Sequence, residues 1–172
     1  MKVLVSVASR HGATREIGEA IGDVLREAGF VVDVADPDDV ETIEPYQAVV
    51  IGSSVYVGRW AASARAMVDR CASGLAARPV WMFSSGPVGS PPAPELGAEE
   101  VPGIMARIGA RGHRTFPGRL DNGGLGLAER AAVALLQAEQ GDFRVWRDVE
   151  DWGAAIAAQL HADEIRHLDV VH

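Results

Sequence analysis

Residues 3–22 read VLVSVASRHGATREIGEAIG, and the fold turns on how they are read. Val3, Leu4, Val5, Val7 and Ala8 form a short apolar run of strand character. A strand this apolar expects cover on both faces. Ser9, Arg10, His11, Gly12, Ala13 and Thr14 interrupt the run, and a helical pattern begins at once. Ile17, Ala20, Ile21, Val24, Leu25 and Ala28 recur at three- and four-residue steps, with Gly29 as the stop. The segment is therefore strand, turn, helix. Its turn is either an ordinary helix cap or a cradle for an anion, because a helix N-terminus presents unpaired N–H groups and a partial positive charge.

The alternation continues outward. Residues 30–36 (FVVDVAD), 46–54 (YQAVVIGSS) and 79–86 (PVWMFSSG) read as further buried strands, and 113–120 (HRTFPGRL) as a weaker one. Helical spacing marks 61–75, 99–110, 127–140 and 151–165, and Pro102 suits a first helical turn. Residues 87–97 form a Pro- and Gly-rich loop. Strands apolar on both faces and separated by helices predict a parallel sheet, doubly wound, in an α/β domain. A single domain over 1–165 is expected, with 166–172 as a tail that is either frayed or docked.

The 172 residues carry 48% hydrophobic and 23% charged side chains, the balance of a globular chain long enough for a real core. A net charge of −8 argues against nucleic acid as a partner. Cys71 is the one cysteine, which excludes an intramolecular disulfide and fits a reducing compartment; its helical position expects a buried thiol. No window approaches the roughly 18 consecutive apolar residues of a transmembrane helix. A cytoplasmic protein is expected, with peripheral contact to the inner membrane left open.

Neither G-x-x-x-x-G-K-[ST] nor G-x-G-x-x-G occurs at the opening turn, so neither a P-loop nucleotidase nor a dinucleotide site fits. Two further loops at strand carboxyl ends, GSSVYVGRW (52–60) and SSGPVG (84–89), are rich in hydroxyls and glycine. A strand order of 2-1-3-4-5 makes the first, third and fourth strands neighbours and converges these loops on one crevice. In that order FMN is the expected occupant of the switch point. Tyr56 and Trp60 would suit an aromatic nucleoside phosphate, or else pack beneath the following helix.

At these residues the chain resembles the flavodoxin superfamily. ASRHGATREIG (8–18) is similar to the flavodoxin phosphate loop, and within the superfamily TREI, IGSSVYVGRW and DWGAAIA look closest to the menaquinone-dependent protoporphyrinogen oxidase branch. The resemblance implies a flavodoxin-like five-stranded parallel sheet with helices on both faces, and FMN as cofactor. It implies that Ser9, Arg10, His11, Gly12, Ala13 and Thr14 hold the phosphate. Ser53, Ser54, Val55, Tyr56, Val57 and Gly58 would meet the isoalloxazine, and Ser84, Ser85, Gly86, Pro87 and Gly89 would pass along its pyrimidine side.

Electron-carrying flavodoxins usually stack an aromatic from the fourth-strand loop on the flavin, and SSGPVGSPPAPELG (84–97) has none. An open ring favours an oxidoreductase acting on a small redox substrate or quinone over a carrier serving a redox partner protein. A fold that has lost its flavin is the third reading. The span 118–148 is Gly- and Ala-rich where the oxidase branch is basic and aromatic, which sets the substrate and membrane contact apart from the flavin. Leu125, Leu127, Val133, Leu135 and Leu136 are expected in the core. No side chain stands out as a catalytic acid or base. Arg59 either orients an anionic substrate or is solvated, and His113, His161, His167 and His172 have no metal spacing. Asp36, Asp38, Asp39 and Glu41 read as a solvated acidic loop. A homodimer is left open.

Overall fold

A computed structural model of the chain describes residues 1–86, 98–120, 126–135 and 141–170. The elements run β1 (Lys2–Ala8), α1 (Ala13–Glu27), β2 (Val31–Ala35), β3 (Ala48–Tyr56), β4 (Arg59–Trp60), α2 (Ala62–Ala76), β5 (Val80–Ser85) and α3 (Val101–Ile108). β6 (Gly112–Phe116), β7 (Arg119–Leu120), α4 (Leu127–Leu135), β8 (Gly141–Asp142) and α5 (Trp146–Val170) follow. A single 3-10 turn, Pro37–Asp39, follows β2 and takes up the expected acidic loop.

Five strands pair in parallel in the order β2-β1-β3-β5-β6, with β4 antiparallel on β3. Counting the parallel strands alone, this is the expected 2-1-3-4-5. Strand side chains alternate between faces, and each face meets its own helices. Leu4, Val49, Ile51, Val80 and Met82 pack under α2 and α3 with Met67, Val68, Cys71, Leu75 and Ile108. Val3, Val5, Val7, Val50 and Phe83 pack under α1 and α5 with Ile17, Ile21, Val149, Ile156 and Leu160. At Gly18 a Cβ would stand 2.3 Å from Val7 Cγ2, so α1 lies on β1 as closely as glycine permits.

The differences from the expected elements are local. The last helix is longer at both ends than 151–165 and takes in 166–170 of the tail. The weak strand over 113–120 divides into β6 and β7, and β7 turns away to pair antiparallel with β8. Phe143 N donates to Gly118 O at 3.1 Å, fastening this small ribbon to the end of β6. Leu127, expected in the core, is instead 88% exposed, because it opens α4 on a face that meets solvent. Leu125 and Leu136 lie outside the described residues, as do residues 136–140 of the expected fourth helix and the side chains of Val133 and Leu135. Cys71 is buried in α2 as expected. Among the described residues no helix is long and apolar enough to cross a membrane, and no cluster of three or more metal-ligating side chains forms.

Candidate functional site

β1, β3 and β5 are neighbours, so the turns beyond their carboxyl ends share one edge of the sheet. At the first turn, Gly12 is the N-cap of α1 with φ +85° and ψ −23°, and as a glycine it offers the helix no side-chain cap. Its own N–H donates to Ser9 Oγ at 3.0 Å, and its carbonyl accepts from Glu16 N at 3.0 Å. Among the described residues, a Cβ at residue 12 would meet nothing within 4 Å. The left-handed φ, rather than crowding, calls for glycine there. The amides that open an α-helix have no intrahelical partner. First-turn amides behind a glycine N-cap, with Ser9, Arg10 and a buried Thr14 beside them in the chain, fit a phosphate dianion.

The second turn is a hairpin. Val55 pairs with Trp60 and Tyr56 with Arg59, leaving Val57 and Gly58 as its two-residue loop, at φ +50° and +69°. Positive φ at both central residues is the pattern of a type I′ turn. Tyr56 is 49% exposed, and the Arg10 guanidinium lies 5.2 Å from its ring centroid, joining this turn to the first. Tyr56 therefore does not pack beneath the following helix. Trp60 does. It is buried, and its indole N–H donates to Ser84 Oγ at 2.8 Å.

A clamp that sequence reasoning missed holds the hairpin from outside. Trp60 N donates to Glu100 Oε1 at 2.9 Å, while Arg65 Nε donates to the Trp60 carbonyl at 3.2 Å. Glu100 also lies 3.6 Å from Arg59 and 3.7 Å from Arg65. Arg59 is thus paired with Glu100 while its side chain stays largely in solvent. Nothing local in the sequence signals these contacts, since Glu100 stands 40 residues from the backbone it caps.

The expected site residues divide by what their hydroxyls and amides already do. Ser53 is fully buried, accepting from Ala61 N and donating to the Ser54 carbonyl, both at 2.9 Å. Ser84 is buried between Trp60 and His113, whose Nε2 lies 2.8 Å from its Oγ. Burial holds His113 below the ordinary histidine range. Ser84 Oγ thus accepts from the indole N–H and lies within hydrogen-bond reach of the imidazole. Gly86 N donates to Phe116 O at 3.0 Å. Ser85 is buried beside Gly86, and Pro87 and Gly89 lie outside the described residues. Between the first turn and the hairpin, a cleft of about 590 Å³ is lined by Ser9, Arg10, Asp36, Asp38, Tyr56 and Arg59 among others. The edge thus combines an anion cradle with an exposed aromatic hairpin.

Comparison with known proteins agrees with this geometry. The sequence model of the family described as "Flavodoxin domain" matches residues 4–144. Protoporphyrinogen IX dehydrogenase [quinone] of Escherichia coli K12 is 34% identical over 86 residues, covering 49% of this chain and 48% of that protein. The chain thus spans about half the length of the curated relatives it matches. Among solved structures, a flavodoxin from the domain Archaea superposes with a TM-score of 0.61 at 20% identity, covering 94% of this chain and 99% of that one. Oxidised flavodoxin 1 from Bacillus cereus gives 0.59 at 15% identity, covering 90% and 95%. At these identities the structures speak to the fold. The fold and the matched family model agree: the chain belongs to the flavodoxin domain family, and FMN is its cofactor.

Proposed function

We propose that this chain is an FMN-dependent oxidoreductase that takes electrons from a reduced small molecule and passes them to a quinone or similar acceptor. The observation that carries this reading is the 34% identity, over 86 residues, to a protein named as a dehydrogenase with quinone. A porphyrinogen is accordingly the first donor to try, and a cytoplasmic enzyme able to touch a membrane surface is the setting it implies.

In this reading the first-turn amides of α1, the Ser9 and Thr14 hydroxyls and Arg10 bind the FMN phosphate, with His11, Gly12 and Ala13 shaping the loop. Ser53 and Val55 act from within β3 by placing Ser54, Tyr56, Val57 and Gly58 against the ring edge. Ser84, Ser85 and Gly86 support the pyrimidine side, with Pro87 and Gly89 continuing it. FMN, when bound, supplies the one- and two-electron chemistry, so the protein needs to provide position and electrostatics rather than an acid or base of its own. Tyr56 and Val57 are exposed, and the sequence 84–97 has no aromatic residue to stack on the ring, which suits a small-molecule substrate better than a carrier.

An electron carrier without its own substrate is the second reading, favoured by a net charge of −8 that suits docking on a basic partner. Absorption spectra before and after addition of FMN test the cofactor site. Flavin bands that persist through desalting are expected, followed by porphyrinogen or quinone turnover. Retained flavin without turnover points to the carrier. Thr14→Val with Arg10→Ala removes charge-assisted donors and is expected to weaken FMN binding by about tenfold or more. Unchanged affinity would remove the phosphate assignment.

A further inference from the structure

Arg144 lies outside every loop assigned to the flavin, yet its side chain is only 3% exposed. Its Nε and Nη2 fork onto the two oxygens of Asp142 at 2.8 and 2.6 Å. Its Nη1 reaches α1, donating to Glu16 Oε2 at 2.5 Å and to the Ala13 carbonyl at 3.2 Å. The Trp146 ring lies 4.5 Å from the guanidinium carbon. Arg119, from the paired strand β7, meets the other Glu16 oxygen at 3.3 Å. The β7–β8 ribbon thus delivers two arginines to the first turn of α1.

Two electrostatic consequences follow at that turn. A cation on the Ala13 carbonyl polarises the Ala13–Thr14 peptide and makes the Thr14 N–H a stronger donor. That N–H is among the amides left unpaired at the helix start. Glu16, one turn into α1, would otherwise set a negative charge near a bound dianion, and the two arginines offset it. Both effects act on phosphate charge. Neither touches an isoalloxazine ring.

We propose that Arg144 is a positioning residue for the phosphate cradle, holding the Ala13–Thr14 peptide in place and neutralising Glu16, so that it sets the preference for FMN over the unphosphorylated flavin. This rests on the FMN assignment above. Asp142 and Trp146 serve the same end by presenting the guanidinium in one orientation. Lysine replaces it only in part, because an ammonium cannot fork onto Asp142 while reaching Ala13.

The test measures dissociation constants for FMN and for riboflavin, by flavin fluorescence quenching, in the parent chain, Arg144→Met and Arg144→Lys. The expected result is FMN binding weakened by about tenfold or more in Arg144→Met, with riboflavin changed by less than about twofold. Arg144→Lys falls between. Adding Glu16→Gln to either variant recovers part of the FMN affinity. Equal losses for both flavins would mark Arg144 as merely structural and overturn the proposal, as would no loss for either. If circular dichroism finds Arg144→Met unfolded, Arg144→Lys with and without Glu16→Gln decides by the same ratio. A parent chain that binds riboflavin as tightly as FMN overturns the cradle itself, and with it this role.

Discussion

Val57 occupies a conformation that β-branched side chains avoid, with φ at +50° and its side chain 85% exposed. No burial offsets that strain, so the hairpin must be held by its neighbours. Asparagine tolerates the left-handed region and is favoured in such turns, so Val57→Asn is expected to raise stability by about 1 kcal/mol. A higher urea midpoint at unchanged slope is the readout, and an unmoved midpoint would mean the turn is relaxed. Some residue roles were legible in sequence and others were not, for physical reasons. Gly12 could be placed because only four residues join β1 to α1, and it is the glycine among them. Trp60 stood beside a ring-binding loop, and only the pairing of β3 with β4 shows that its indole turns inward to Ser84. Arg144 could not be found at all, since Glu16 lies 128 residues away.

The hairpin's strain is contained at the level of elements. β4 has two residues and pairs with β3 alone, so its hold depends on the N-terminal ends of α2 and α3. Glu100 and Arg65 grip the Trp60 N–H and carbonyl from those two helices. Glu100→Ala leaves a part-buried amide without its acceptor and is expected to cost about 1–3 kcal/mol. Glu100→Gln keeps an amide oxygen for that bond and loses only the ion pairs, worth at most about 1 kcal/mol at such exposure. Denaturant titration of both variants, with amide exchange at Trp60, separates the bond from the charges. Equal effects would assign the clamp to charge alone. β1, β2, β3 and β5 were readable because each is a mostly apolar run, whereas β6, with Phe116 as its one large apolar residue, read only weakly. The β7–β8 ribbon was not, for a two-residue bridge between distant segments has no period to detect.

Across the whole molecule, two kinds of titrating group shape acid stability. His113 titrates lower in the fold than its ordinary value of 6.5, because burial disfavours the cation. The unfolded chain then binds the extra proton, so stability is full above pH 6.5 and falls as pH drops from there through the folded value. Asp33, hydrogen-bonded by Lys2 and Tyr46, and Asp142, hydrogen-bonded by Arg144, titrate below the ordinary 3.8. Their contribution is present above that value and lost as pH falls through the lower folded ones. Two declines are therefore expected, and His113→Gln should abolish the one that begins near neutrality. Urea midpoints measured from pH 8 to pH 3 in both proteins read this directly; identical profiles would clear His113 of any part in it. The two helical layers also differ in when they can close as the chain is made. Among the described residues, the hydrophobic cluster of the α2–α3 layer ends at Ala110. The layer over α1 needs Val149, Ile156 and Leu160. On the ribosome, then, α1 waits with one flank bare until α5 has emerged.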